Sequence, residues 1–88
     1  MTSSDATRDL ERQTRRRANL RHLIDLLIGE GFTSAAAQGG ILGNLTGEAL
    51  REILAGAEIS DALAREVEWS MSRPEGWLDE KRQSALDD

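Results

Sequence analysis

Apolar residues along this 88-residue chain recur at helical spacing and nowhere alternate with period two. From about Arg8 to Ile28 the pattern is helical, with Leu20, Leu23, Ile24 and Leu27 forming one apolar stripe. Gly29-Glu30-Gly31 ends that helix, since glycine readily adopts the left-handed C-terminal conformation. Thr33 or Ser34 caps a second, short helix through Ala35-Ala36-Ala37-Gln38. Gly39, Gly40 and Gly43 weaken it, each by about 1 kcal/mol relative to alanine. Asn44 suits the turn that follows. Thr46 caps a third helix with Glu48 in its first turn, and Ala49, Leu50, Ile53 and Leu54 supply its inner face before Gly56 stops it. Ser60 caps a fourth, with Ile59 placed to staple onto Ala64. Its inner stripe is Leu63, Ala64, Val67 and Met71, and Pro74 cannot continue it. Trp77 and Leu78 then close the core, while Trp69, at the edge of the stripe, is the better candidate for an exposed contact.

This pattern predicts an all-α fold of four or five helices joined by short loops. It has a disordered tail over residues 1–7, a folded domain over 8–79 with an arginine-rich first helix, and an acidic tail over 80–88. No strand signal, internal repeat or low-complexity tract interrupts it.

Composition narrows the function. There are no cysteines, which excludes disulfides and thiolate metal sites, and the single His22 lacks partners for a metal. Neither a Ser-His-Asp nor a Cys-His set can be assembled, so no enzyme, cofactor or metal is expected. The glycines of 39–43 do not end in Gly-Lys-Ser/Thr, so they are not a phosphate loop. No apolar run reaches membrane-spanning length, and Met1-Thr2-Ser3-Ser4-Asp5 lacks the character of a secretory leader. A cytoplasmic setting is the expectation. The net charge is −5, unevenly spread: residues 1–22 carry +3 and residues 23–88 carry −8. Phosphate contact answers to the local field, so the basic segment keeps nucleic acid in play.

The second and third helices, roughly 33–42 and 46–55, have the spacing of a helix-turn-helix. Four segments strengthen that reading. They are Arg16-Arg17-Ala18-Asn19-Leu20-Arg21, Leu50-Arg51-Glu52-Ile53-Leu54-Ala55-Gly56, Ile59-Ser60-Asp61-Ala62-Leu63-Ala64-Arg65-Glu66-Val67-Glu68 and Arg73-Pro74-Glu75-Gly76-Trp77-Leu78-Asp79. Together, over residues 16–79, they resemble the DNA-binding domain of lambda-repressor-like regulators of the Cro/CI or XRE type, most specifically in the Gly-Trp-Leu-Asp ending.

The resemblance implies a lambda-repressor-like bundle that binds duplex DNA as a homodimer and represses by occupancy, in a phage, prophage or plasmid setting. On that reading Arg15, Arg16, Arg17 and Arg21 clamp phosphates. Thr33, Ser34 and Asn44 join the DNA-facing set, and Thr46, Glu48, Ala49 and Arg51 face base edges. The chain departs from the family in its glycine-rich second helix. Its third helix also lacks the Gln, Asn or Lys that read bases bidentately, with Arg51 its one basic residue. Two alternatives follow. One is a protein-interaction module on the same scaffold, docking a partner protein. The other is an architectural or silencing protein that uses the arginines with little sequence preference.

Overall fold

The computed structural model describes residues 2–81, with side chains from residue 6 onward. The described residues contain four α-helices and one 3₁₀ turn, and no strand among them. The helices are α1 (Thr2–Gly29), α2 (Ala35–Gly43), α3 (Gly47–Leu54) and α4 (Asp61–Ser70); the 3₁₀ turn covers Trp77–Asp79. No helix among the described residues is long and apolar enough to cross a membrane.

The 28 residues of α1 span about 42 Å at 1.5 Å per residue, close to the 45 Å length of the whole molecule. The helix begins six residues before Arg8, through the stretch expected to be a polar tail. Of the expected acidic tail, Glu80 and Lys81 leave the 3₁₀ turn exposed, and 82–88 lies outside the described residues. The C-terminal half of α1 does the packing: Leu20, Leu23, Ile24 and Leu27 are buried. They meet Leu42 of α2, Leu50 and Ile53 of α3, Ile59, Ala64 and Val67 at α4, and Trp77 and Leu78.

Short polar signals set the boundaries. Ser34, Thr46 and Ser60 are the N-caps, their hydroxyls accepting from the amides of Ala37, Ala49 and Leu63 at 3.1, 3.0 and 3.1 Å. At the end of α1, Phe32 N–H donates to Leu27 O and Gly31 N–H to Ile28 O, with Gly31 at φ +101°. This is the Schellman closure, and it brings Phe32 back to Leu27. The same pair of bonds recurs after α3 around Gly56 and after α4 around Ser72. Asn44 takes the left-handed conformation at φ 58° and turns the chain out of α2, a position asparagine tolerates better than most residues.

One of the glycines that weaken α2 as an isolated helix, Gly39, together with Gly47 of α3, lets the two helices approach. A Cβ on Gly39 would lie 2.6 Å from the carbonyl oxygen of Leu45, and one on Gly47 would lie 3.0 Å from the amide nitrogen of Ala36. Backbone therefore packs on backbone across the α2–α3 corner, with no room for a side chain.

Candidate nucleic-acid interface

Arg15, Arg16, Arg17 and Arg21 of α1 are the leading candidates for phosphate contact, and the structure gives each of these four a partner inside the molecule. Arg16 is 2% exposed. Its Nε donates to Asp79 Oδ1 at 2.5 Å, Nη1 to Ile59 O at 2.7 Å, and Nη2 to Asp61 Oδ1 at 2.7 Å and Asp79 Oδ2 at 3.3 Å. A phosphate cannot reach it, so the expected clamp is corrected at this position: the guanidinium lies on the core side of α1. Arg15 donates through Nε to Asp79 O at 2.7 Å. Arg17 donates to Ile53 O at 2.9 Å and Ala57 O at 3.1 Å, and Arg21 to Leu54 O at 2.9 Å. The last two therefore place cations on the C-terminal carbonyls of α3, where the helix dipole is negative. Arg15 and Arg17 are half-buried and Arg21 is exposed, so their positive charge still reaches the surface.

Arg16 belongs to a larger clasp. Asp79 also accepts from Arg65 Nη2 at 3.0 Å. Burial pushes the Asp79 carboxyl upward, but its bonds from Arg16 and Arg65 outweigh burial and hold it below its ordinary value of 3.8. At Asp61 the hydrogen bond from Arg16 lowers the carboxyl in the same direction. Asp79 in turn raises Arg16 above its already high ordinary value.

Glu68, 1% exposed, accepts the amides of Gly76 at 3.0 Å and Leu78 at 2.7 Å, and so caps the 3₁₀ turn. Arg65 Nε lies 2.9 Å from Glu68 Oε1 without pointing at it, an ion pair rather than a hydrogen bond at that nitrogen. Asn19 holds the other end of the turn, donating to Leu78 O at 2.7 Å and Glu80 O at 2.8 Å. Gln13 makes a reciprocal pair with the backbone of Ile59, at 3.0 and 2.7 Å. The Gly76-Trp77-Leu78-Asp79 ending is thus the part of the chain that α1 and α4 grip. His22 sits against it, its ring centroid 6.3 Å from that of Trp77.

Gln13, Asn19, Glu68 and Asp79 did not stand out as working residues in the sequence. A signal was present for three of the clasp residues. Arg16 falls on the stripe of Leu20, Leu23 and Leu27, Asn19 lies one turn before Leu23, and Glu68 lies one turn after Ala64. A polar residue on a core-facing position needs a buried partner.

Of the other predicted residues, Thr33, Ser34, Thr46 and Glu48 lie at the starts of α2 and α3, Ala49 and Arg51 lie further along α3, and Asn44 lies at the far end of α2. Because Gly47 packs against Ala35 and Ala36, the N-termini of α2 and α3 lie side by side. Thr33, Ser34, Asn44, Thr46, Glu48 and Arg51 are exposed, and Ala49 is half-buried. Ser34 and Thr46 accept a cap bond and keep a hydroxyl proton to donate outward. Glu48 and Glu52 stand one turn apart on the exposed side of α3, with Arg51 beside them. Ser34, not Thr33, is the α2 cap. Among the described residues no group of His, Cys, Asp and Glu could hold a metal ion. No protein-family model matches the chain, and comparisons with curated proteins and with solved structures find no match.

Proposed function

We propose that this chain is a small DNA-binding regulator in which α2 and α3 act as a helix-turn-helix. The observation that supports it best is the meeting of two helix N-termini at Gly47 and Ala36. The cap residues Ser34 and Thr46 are exposed there. Helix N-termini favour phosphate, and the first turns of the second helix of such a pair are the residues that enter a major groove. On this reading Thr46, Glu48, Ala49 and Arg51 meet base edges, and Arg51 supplies the one bidentate donor. Glu48 and Glu52 weaken contact with phosphate, so backbone affinity is modest. Arg15, Arg17 and Arg21 contribute charge while bonded to the protein, and Arg16 contributes none.

A second reading, a protein-interaction module on the same scaffold, is favoured by that exposed Glu48–Glu52 face. The architectural alternative loses Arg16 to the clasp and keeps Arg15, Arg17 and Arg21, whose charge reaches the surface.

Titrating labelled random and candidate-operator duplexes at several salt concentrations tests the proposal. It predicts a duplex bound at least about 10³ tighter than random sequence, with a salt slope shallower than six to ten phosphate contacts would give. Absence of binding at low salt overturns it and leaves the interaction module.

A further inference from the structure

Leu10 is 69% exposed on α1, well before Leu20, the first core residue of that helix. It lies in an open groove of about 520 Å³ that follows one face of α1 from Asn19 back to Thr7, with Thr14 and Ala18 between them at helical spacing. Glu80 and Lys81 form the end wall of the groove beside Asn19. They are held there, since Asn19 Nδ2 donates to Glu80 O at 2.8 Å and Arg15 Nε donates to Asp79 O at 2.7 Å. The chain is thus delivered into one end of the groove, and Arg82-Gln83-Ser84-Ala85-Leu86-Asp87-Asp88 follows at once.

Length, pattern and charge choose that segment as the occupant. Seven extended residues reach about 23 Å, and α1 rises about 18 Å from Thr7 to Asn19, so the segment can cover the groove from end to end. Its apolar residues are Ala85 and Leu86. Leu86 follows Lys81 by about 16 Å of extended chain, against about 12 Å along the helix from Ala18 to Leu10. Asp87 and Asp88 then arrive beside Arg8, which is exposed, and Arg12, which is paired with Asp9 at 3.2 Å. These two arginines each stand one turn before a groove residue, Glu11 and Arg15. Within the groove Glu11 and Glu80 offset Arg15 and Lys81, a balance that draws no strongly charged free ligand. A segment tethered at the mouth of the groove acts at an effective concentration of the order of millimolar, above that of a dilute competitor. We infer that residues 82–88 are a strap lying along this groove, running towards Thr7 with Leu86 against Leu10 and Asp87-Asp88 against Arg8 and Arg12. The strap fastens the outer half of α1 to the clasp around Asp79. The inference does not rest on DNA binding, and its test uses none.

Nuclear magnetic resonance of the whole chain with labelled leucine methyl groups tests the strap. A nuclear Overhauser cross-peak between the methyls of Leu86 and Leu10 is expected, and its relative intensity should survive dilution, because the contact lies within one molecule. Leu86→Ser should remove the contact and speed amide exchange over residues 10–14 severalfold. Exchange over residues 20–27 should stay as in the wild type, because Leu20, Leu23, Ile24 and Leu27 pack in the core cluster. Absence of the cross-peak overturns the inference. So does a cross-peak that fades on dilution, which makes a second copy the occupant, and so does a Leu86→Ser variant whose exchange over residues 10–14 matches the wild type.

Discussion

Arg16 and Asp79 lie 63 positions apart in the chain and share two hydrogen bonds, Nε to Oδ1 and Nη2 to Oδ2. This fork-to-fork pairing ties the middle of α1 to the last turn of the fold. It also carries Arg65 and Asp61, which bond the same two residues from α4. A planar guanidinium suits such a site because its donors diverge at fixed angles towards several acceptors. The arginine-rich segment, which resembles a nucleic-acid clamp when read as a string, is in the folded protein a structural brace.

Removing the arginine should therefore unfold rather than merely unbind. Arg16→Ala leaves Asp79 without its main partner and Ile59 O with Gln13 as its remaining side-chain donor, and losing one member of a buried pair costs about 3–5 kcal/mol. Arg16→Lys should rescue only part of that, since an ammonium cannot span Asp79, Asp61 and Ile59 together. Urea unfolding followed by circular dichroism measures both variants. A stability change below about 1 kcal/mol for Arg16→Ala would contradict the brace.

Acid should weaken the clasp through Asp79. Its carboxyl in the folded protein sits below the ordinary 3.8 it has when unfolded, so the fold favours the charged form. The resulting stability is complete above the ordinary carboxylate range and is lost as pH falls through 3.8 and below. Stability should be level near neutrality and fall on acidification, and Asp79→Asn, less stable at pH 7, should show a shallower acid decline. An identical decline in wild type and variant would remove Asp79 from the pH response.

The α2–α3 corner should reject the smallest side chain. Gly39→Ala improves helix propensity, yet it sets a methyl group 2.6 Å from the Leu45 carbonyl oxygen, a backbone atom that cannot rotate aside. Overpacking of this kind costs about 1–3 kcal/mol, enough to outweigh the propensity gain of about 1 kcal/mol. Gly40→Ala, where nothing lies within 4 Å, is the internal control and should be neutral or stabilising. The melting temperature should therefore fall in Gly39→Ala and hold or rise in Gly40→Ala.

The two ends of α3 should separate under mutation. If the proposed DNA-binding role holds, Arg51→Ala should erode sequence preference in duplex binding with little change in stability, because Arg51 is exposed on α3 beside the positions proposed to meet bases. Arg17→Ala should do the reverse, taking the side-chain donor from Ile53 O and Ala57 O and loosening the end of α3 by about 1 kcal/mol. Unchanged sequence preference in Arg51→Ala would take it out of the reading set.

Much of this scaffold was legible because its signals are local. Ser34, Thr46 and Ser60 mark helix starts within four residues, and the stripes 20-23-24-27 and 63-64-67-71 mark inner faces by spacing alone. The exposure of Trp69, at 83%, also followed from its register against Val67, while Trp77, 9% exposed, was placed in the core by its position after the Pro-Glu-Gly turn. The roles of the arginines were not legible in the same way. Their acceptors lie between 33 and 64 positions away, and most are backbone carbonyls that carry no sequence signature. A solvated basic face and a brace of helix carbonyls are written with the same letters. The glycines of α2 misled for a related reason: their propensity cost is local, while the close approach that requires Gly39 involves Leu45 on the far side of the turn.

The brace can be observed directly in the arginine Nε–H resonances of nitrogen-15-labelled protein near neutral pH. A guanidinium that is 2% exposed with Nε bonded to Asp79 should give Arg16 a resolved Nε–H that exchanges with water far more slowly than that of Arg8, and this protection should vanish in Asp79→Asn. An Arg16 Nε–H exchanging as fast as that of Arg8 would place the guanidinium in solvent and contradict the account.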